Sequence, residues 1–235
     1  MYKYGIGVDK LRTLIRKVSP EKTAWGYKFK IAREKDYILE RFDILDGKTA
    51  DLKIKKGWEA TVYLEEGIIR IGKHLISHRQ SIKLFLNSKI KSDKDSIIYL
   101  FYGQISKKKL KLKSRSTFDF REKYWGIIET MVNDLYTGKR LFFKKGQHSS
   151  LHFHVQKTET YFIHSGQLLV RLRAGRGEDS FFKLLPGSTL RIPPGLMHQD
   201  GGLADTVIIE ISTHDEDSDS FIVEDGQKNR MQCLK

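Results

Sequence analysis

The sequence predicts an all-β protein made of two similar halves, with one short helix near the N-terminus. Short runs of valine, isoleucine, leucine, phenylalanine and tyrosine alternate with glycine, aspartate, asparagine and serine, at intervals typical of sandwiches and barrels. Segments of the first half recur in the second, which indicates a duplication. The stretch from Val8 to Val18 differs, because Leu11, Leu14 and Ile15 recur at helical intervals, and it predicts the helix.

The repeat consists of three pairs of similar segments, and every segment contains a glycine in or beside a strand-like run. They are Trp25-Gly26 with Trp125-Gly126, residues 51–57 (DLKIKKG) with 140–146 (RLFFKKG), and 59–71 (EATVYLEEGIIRI) with 159–172 (ETYFIHSGQLLVRL). This alignment leaves residues 147–158 without a counterpart in the first half. We interpret the halves as two duplicated domains, of which the first has lost a hairpin; chance similarity of short β segments is the alternative.

The charge distribution gives the domain boundaries and one class of partner. Residues 1–115 hold 28 Lys+Arg against 13 Asp+Glu, whereas residues 116–235 hold 15 against 16. The run 107–115 (KKKLKLKSR) predicts a linker, since so many like charges rarely pack in a core; an exposed edge strand protected by its lysines is the alternative. We therefore predict a basic domain 1–106, a linker 107–115 and a second domain 116–235. The basic half either contacts a polyanion or presents a solvated surface.

Composition excludes several classes of protein. The densest apolar runs have the length of strands, so no membrane span is predicted. The N-terminus lacks the apolar core of a signal peptide. Cys233 is the one cysteine, which rules out an intramolecular disulfide and predicts a soluble, cytoplasmic protein of a reducing compartment.

Four residues of the second half form a candidate metal site. His152 and His154 lie two apart in a predicted strand, so their imidazoles project from the same face. Glu159 begins the next strand, which can bring its carboxylate beside the imidazoles, and His198 lies at the end of a later strand. Three imidazoles and one carboxylate suit a single divalent ion of Mn, Zn, Fe, Co or Ni and leave positions open for substrate. In the first half, His74 and His78 lack a third ligand and are interpreted as structural or surface residues.

Two segments carry a family resemblance. Residues 146–166 (GQHSSLHFHVQKTETYFIHSG) and 187–198 (GSTLRIPPGLMH) resemble the first and second motifs of the cupins, although Gly202 stands where asparagine is usual. The resemblance implies that His152, His154, Glu159 and His198 bind the metal. It also implies tandem jelly-roll barrels, the first of them degenerate and without metal ligands.

The second half is similar to a narrower group, the cupin domains of type II mannose-6-phosphate isomerases and of D-lyxose isomerase-like proteins. Tyr124-Trp125-Gly126, Gly138-Lys139-Arg140-Leu141, Ser150, Ile192-Pro193 and Ile209-Glu210-Ile211 carry this similarity, in the order found in those isomerases. Those isomerases end in a Tyr-Gly-Arg segment, whereas this chain has Arg230 after residues 225–229 (DGQKN).

The narrower resemblance implies an aldose–ketose isomerase or epimerase acting on a sugar or sugar phosphate. The metal would polarise the carbonyl and hydroxyl oxygens of the substrate and stabilise an enediolate. The expected catalytic residues are the candidates on inward strand faces, Glu210, Lys139 and Tyr161. The expected substrate-binding residues are Arg140, Ser150, Arg171 and Arg191. For Glu210, an ion pair with Arg191 or Arg171 is the structural alternative.

Two other functions stay open. The same ligand set serves iron-dependent cupin dioxygenases. A binding or structural module, in which the metal stabilises a barrel and the basic half grips a polyanion, belongs to a different class. A homodimer is an alternative to pairing of the two barrels within one chain.

Overall fold

A computed structural model of the protein describes residues 7–105, 114–115, 119–229 and 231. The chain forms two compact units. The C-terminal unit takes its residues from Met1–Lys17, Asp119–Thr130 and Lys139–Lys235, and the N-terminal unit takes its residues from Val18–Phe118 and Met131–Gly138. The chain begins with helix α1 (Val8–Arg12) and strand β1 (Ile15–Lys17). None of the helices in the described part of the chain is long and apolar enough to cross a membrane.

The N-terminal unit is built from a single antiparallel sheet. Its strands are β2 (Glu21–Thr23), β3 (Gly26–Arg33), β4 (Tyr37–Ile44), β5 (Thr49–Leu52), β6 (Trp58–Ile71), β7 (His74–Ser77), β8 (Ser81–Leu84), β9 (Ser88–Gln104) and β10 (Ser114–Arg115). The order is β10-β8-β6-β9-β4-β3-β2, with β5 paired to β9 and β7 paired to β6. Its core consists almost entirely of aliphatic and aromatic side chains.

Two antiparallel sheets form the C-terminal unit. The remaining strands are β11 (Asp119–Lys123), β12 (Gly126–Asn133), β13 (Tyr136–Phe143), β14 (Leu151–His154), β15 (Glu159–Ser165), β16 (Leu168–Ala174), β17 (Ser180–Leu184), β18 (Ser188–Ile192), β19 (Leu196–Gly202), β20 (Thr206–Thr213) and β21 (Ser220–Glu224). One sheet has the order β1-β18-β15-β20-β13-β12-β11, and the other has the order β17-β16-β19-β14-β21. A second apolar core contains residues from both sheets. The prediction of an all-β, jelly-roll protein is confirmed.

The predicted helix Val8 to Val18 is too long. It ends at Arg12, and Ile15–Lys17 pairs antiparallel with β18 instead. Pairing satisfies the backbone groups of this segment, and Pro20, three residues further on, cannot continue a helix. Leu11 is buried in the core of the C-terminal unit, so the first residues belong to that unit and not to a domain 1–106. The predicted linker 107–115 lies outside the described residues except for β10.

The two units share local geometry at the Trp-Gly pairs. The carbonyl of Trp25 accepts a hydrogen bond from Leu45 N at 3.0 Å, and the carbonyl of Trp125 accepts one from Lys144 N at 3.0 Å. The two indoles pack on phenylalanines at different positions: Phe42, at 4.6 Å between ring centroids, lies three residues before Leu45, and Phe143, at 4.1 Å, lies one residue before Lys144. The matching hydrogen bonds therefore support the interpretation of a duplication.

The predicted loss of a hairpin is wrong. Trp-Gly and the glutamate at the start of the long strand are separated by the same number of residues in both halves, and β5 occupies the place of β14. Ala50 and Leu52 of β5 project into the N-terminal core, where β14 of the other unit carries its histidines. The first barrel therefore keeps the strand and fills its interior with apolar side chains.

The predicted alignment of the repeat is also wrong in two of its three pairs. Because Leu45 and Lys144 make the same hydrogen bond to their Trp-Gly turns, residues 41–47, and not 51–57, correspond to residues 140–146. The third pair is shifted by one residue. Ala60 faces Leu84 on β8, as Glu159 faces Ile192 on β18, so Ala60 and not Glu59 is the counterpart of Glu159. Because successive side chains of a strand point to opposite faces, this shift places Glu59 on the face of β6 opposite Ala60, where it is buried and pairs with Lys83 at 2.7 Å. A bulge between Lys30 and Ala32 accounts for the extra residue.

Gly126 gives a test of the Trp-Gly turn. At its φ of +157°, a β-carbon would lie 1.7 Å from the carbonyl oxygen of Phe142. We expect Gly126→Ala to destabilise the protein by more than about 3 kcal/mol in urea unfolding. Gly146→Ala is the matched control, because a β-carbon there meets nothing within 4 Å and only its φ of +74° costs energy, about 1 kcal/mol. Equal losses in the two variants would contradict the steric explanation.

Candidate metal centre

Three imidazoles converge inside the C-terminal unit. His152 on β14 lies opposite His198 on the neighbouring strand β19, and His154 follows on the same face of β14. One ring nitrogen from each imidazole lies within 4.8 Å of the others. The centroid of the His152 ring lies 4.2 Å from that of His198 and 5.3 Å from that of His154. The period-two geometry predicted for the pair on β14 is therefore confirmed.

Backbone carbonyls fix the orientation of all three rings. The Nδ1 atoms of His152, His154 and His198 lie 3.0, 2.8 and 3.1 Å from the carbonyl oxygens of Ser150, Asp219 and Leu196. A carbonyl can only accept, so each Nδ1 carries the proton and donates it. The Nε2 atoms are then left unprotonated, as a metal ligand requires.

Glu159 on β15, the next strand along the chain, lies beside the imidazoles, although the group whose ligand atoms all lie within 4.8 Å of one another consists of the three histidines. Its carboxylate oxygens lie 3.6 Å from Nε2 of His154 and 3.3 Å from Nε2 of His198. Within the described residues, Glu159 Oε2 and His198 Nε2 are buried and have no hydrogen-bond partner. Two facing lone-pair donors left unsatisfied in a buried site are costly unless a cation binds between them. The donor set fits a divalent transition metal ion.

The protonation states also suit metal binding. Burial and, to a smaller extent, the neighbouring His198 ring lower the pKa of His152 to about 3, against an opposing effect of Glu159. The pKa of His198 is lowered for the same reason, burial. Burial acts to raise the pKa of Glu159, but Lys157 and the imidazoles outweigh it and hold that pKa well below its usual range. Neutral imidazoles and an ionised carboxylate are the forms that bind a metal.

Lys157 is the main residue that the sequence analysis missed. Its ammonium is buried and lies 2.5 Å from Glu159, 3.0 Å from Glu210 and 2.7 Å from Asp215. Burial alone would lower its pKa, but the three carboxylates raise it well above the usual value, so Lys157 stays charged. The sequence indicates only a loop at this position. The one available signal is its spacing of two residues from Glu159.

The three predicted catalytic residues line one cavity of about 590 Å³ together with His152 and His154. Lys139 lies 2.7 Å from Asp215 and 3.8 Å from Glu210. Tyr161 faces Glu210 across β15 and β20, and burial raises its pKa well above the usual value. Asp200, which the sequence analysis also missed, lines the same cavity, and burial raises its pKa well above the usual value.

Of the four predicted substrate-binding residues, only Ser150 lines this cavity. Arg140, Arg171 and Arg191 do not line it, because each occupies the opposite face of its strand from core residues, such as Leu141, Leu172 and Leu190. Arg140 pairs with Glu129 at 3.2 Å, and Arg171 pairs with Asp179 at 2.6 Å and Glu224 at 2.7 Å. Glu210 pairs with Lys157 and Lys139, whereas Arg171, one of the two partners considered from the sequence, pairs with other carboxylates.

Several other predicted features lie elsewhere. His74 is on strand β7 and His78 follows it, so their spacing is not helical. Among the residues that the structure describes, the three histidines of the C-terminal unit form the one metal-ligating group found. Lys107–Lys109, Lys111, Arg230 and Cys233 lie outside the described residues.

The fold is similar to that of solved oxalate decarboxylases. A Lactobacillus farciminis oxalate decarboxylase in complex with formate matches with a TM-score of 0.70 and 9% identity, over 89% of this chain and 88% of that chain. A Bacillus subtilis oxalate decarboxylase studied for its Mn(II) centres matches with a TM-score of 0.67 and 9% identity, over 89% and 79%. Another oxalate decarboxylase, studied for proton-coupled electron transfer, matches with a TM-score of 0.68 and 11% identity, over 86% of this chain and 77% of that chain. No family model and no curated protein matches the sequence.

Fold and site together define the class: the chain has the two-barrel cupin fold of these decarboxylases. Its C-terminal barrel holds a three-histidine group that can bind one divalent transition metal ion. At 9–11% identity, the similarity establishes the fold and leaves the reaction open.

Removing a ligand tests the metal centre. We expect the purified protein to bind about one divalent ion per chain, and His152→Ala to weaken binding by more than roughly 100-fold, since even changes behind the ligands cost 10- to 100-fold. Elemental analysis and a metal titration measure the change. The control is His78→Ala in the N-terminal unit, whose ring lies outside the three-histidine group. Equal metal content in the two variants would show that the ion binds elsewhere.

Asp219 makes hydrogen bonds both to one of the three histidines and to the loop that follows it. Its carboxylate accepts hydrogen bonds from Val155 N at 2.9 Å, Gln156 N at 3.1 Å and Lys157 N at 3.0 Å. Its carbonyl accepts the Nδ1 proton of His154 at 2.8 Å. One residue therefore holds both the loop that carries Lys157 and a ligand ring.

Substituting Asp219 should loosen the metal centre without removing a ligand. We expect Asp219→Ala to weaken metal binding roughly 10-fold, because the amides of Val155, Gln156 and Lys157 lose the acceptor that holds their loop. Asp217→Ala on the same turn is the control: its carboxylate pairs with the exposed Arg121, and such pairs contribute about 0–1 kcal/mol. Metal titration of both variants measures the effect, and unchanged affinity in Asp219→Ala would contradict it.

Proposed function

We propose that the protein is a metal-dependent cupin enzyme that interconverts an aldose and a ketose, or epimerises a sugar, in the cavity of its C-terminal barrel. The observation that carries this proposal is the ring of proton-transfer groups around the candidate metal centre. Lys139, Lys157, Tyr161 and Glu210 all line the cavity that His152 and His154 also line. Isomerisation requires the transfer of a proton between two adjacent carbons of the substrate. Side chains of these types can accept a proton from one carbon and donate a proton to the other.

His152, His154, Glu159 and His198 would hold a divalent ion. The bound ion would act as a Lewis acid toward the carbonyl oxygen and the neighbouring hydroxyl oxygen of the substrate. Glu210 is the candidate base, because its buried carboxylate lines the cavity and can accept a proton from carbon. Lys157 and Lys139 form ion pairs with that carboxylate, so its negative charge is compensated inside the buried site. Tyr161 remains protonated and can donate a hydrogen bond to a substrate oxygen.

The resemblance of residues 124–211 to cupin sugar isomerases supports the same reaction from the sequence. The structural neighbours, by contrast, are oxalate decarboxylases. An iron-dependent dioxygenase is the other enzyme compatible with the ligand set. These reactions differ in products: carbon dioxide and formate from oxalate, oxygen uptake for a dioxygenase, and neither for an isomerase.

The test follows proton exchange during turnover. Metal-loaded protein incubated with aldoses or ketoses in heavy water should form the partner sugar and incorporate deuterium at the carbon next to the carbonyl. We expect Glu210→Gln to lower kcat by about 10²- to 10⁴-fold with metal content unchanged. Glu178→Gln, an exposed residue outside the cavity, should leave kcat unchanged. Oxygen uptake or oxalate cleavage, without isomerisation, would overturn the proposal.

A further inference from the structure

The charges that line the cavity are unevenly divided. Its carboxylates outnumber its cations by two to one. The carboxylates are Glu122, Glu159, Asp200, Glu210, Asp215, Glu216, Asp217 and Asp225, and the cations are Arg121, Lys123, Lys139 and Lys157. Even with Asp200 protonated and a divalent ion at the histidines, the lining carries no net positive charge. A phosphate or a dicarboxylate needs the opposite balance.

The inner cations are already occupied. Lys157 contacts three carboxylates at 2.5–3.0 Å, and Lys139 lies 2.7 Å from Asp215. At the mouth, Arg121 pairs with Asp217 at 2.9 Å and with Asp119 at 3.2 Å. An anionic group entering the cavity would have to displace one of these carboxylates. Only Lys123, at the exposed end of β11 beside Glu122, has no ion pair within the described residues.

The mouth adds repulsion. Glu122 on β11 and Glu216 after β20 are both exposed and both line the cavity. Asp217 and Asp225 line it with them. A cleft lined with one sign of charge concentrates its field and lowers the local concentration of ligands with the same sign. Repulsive groups of this kind give specificity by penalising the wrong ligand.

We propose that the site selects an uncharged polyhydroxy sugar over its phosphorylated form, with Glu122 and Glu216 as specificity-determining residues at the mouth. The carbohydrate skeleton rests on the proposed function; the discrimination against anions rests on the charges alone. The hydroxyl groups of such a ligand can replace water at the ion-paired lysines and carboxylates without breaking them. A sugar phosphate brings a charge of about −2 to a cavity without a free inner cation.

Equilibrium binding tests the discrimination independently of turnover. Sorbitol and sorbitol 6-phosphate are titrated into the metal-loaded protein by calorimetry. We expect sorbitol to bind at least about 10-fold more tightly than its phosphate, a difference that shrinks between about 20 mM and 200 mM salt as the repulsion is screened. In the double variant Glu122→Lys/Glu216→Lys, binding of sorbitol 6-phosphate should strengthen at least about 10-fold, and binding of sorbitol should change less than about 2-fold.

The control is Glu178→Lys, an exposed charge reversal on the same barrel outside the cavity, which should leave both affinities unchanged. Absence of sorbitol binding, or phosphate binding as tight as sorbitol binding in the unsubstituted protein, would overturn the inference. The two proposals fail separately. Isomerisation of sugar phosphates in preference to free sugars would contradict the inference and support the proposed function. Selective binding of sorbitol without isomerisation would support the inference and contradict the proposed function.

Discussion

The ammonium of Lys157 is the interaction on which the rest of the site depends. It lies in a buried position between Glu159, which belongs to the metal centre, and Glu210 and Asp215, which belong to the substrate cavity. Three carboxylates so close together would otherwise repel one another and take up protons. With Lys157 in place, one of them can bind a metal while another remains available for proton transfer. The loop that carries Lys157 is in turn held by the carboxylate of Asp219.

The metal ligands could be predicted from the sequence because a local rule determines their geometry. Two histidines spaced by two in a strand must share a face, and the family motifs supply the other two ligands. Glu210, Lys139 and Tyr161 were found by the same alternation, since each shares a face with core residues. The same rule excludes Arg140, Arg171 and Arg191 from the cavity, although all three were expected to bind substrate.

Lys157, Asp200 and Asp215 could not be identified in this way. Their roles come from contacts between strands and loops far apart in sequence, for which no period exists. The repeat failed for a related reason. Matching Glu59 to Glu159 by residue type gives an alignment that is wrong by one position, and in a strand one position exchanges the core face for the outer face. Identity of residue type was less informative than burial pattern.

The pairing of β1 with β18 has a consequence for how the protein is made. Ile15 and Leu190 are partners in the sheet, and Leu11 lies in the same core, yet about 170 residues of chain separate the partners. At about 5–20 residues per second, the N-terminal segment leaves the ribosome on the order of 10 s before its partner strand is synthesised. Strand β1 therefore has to wait for its partner through the synthesis of the whole N-terminal unit. The sheet of the C-terminal unit that contains β1 can be completed only after β18 has been made.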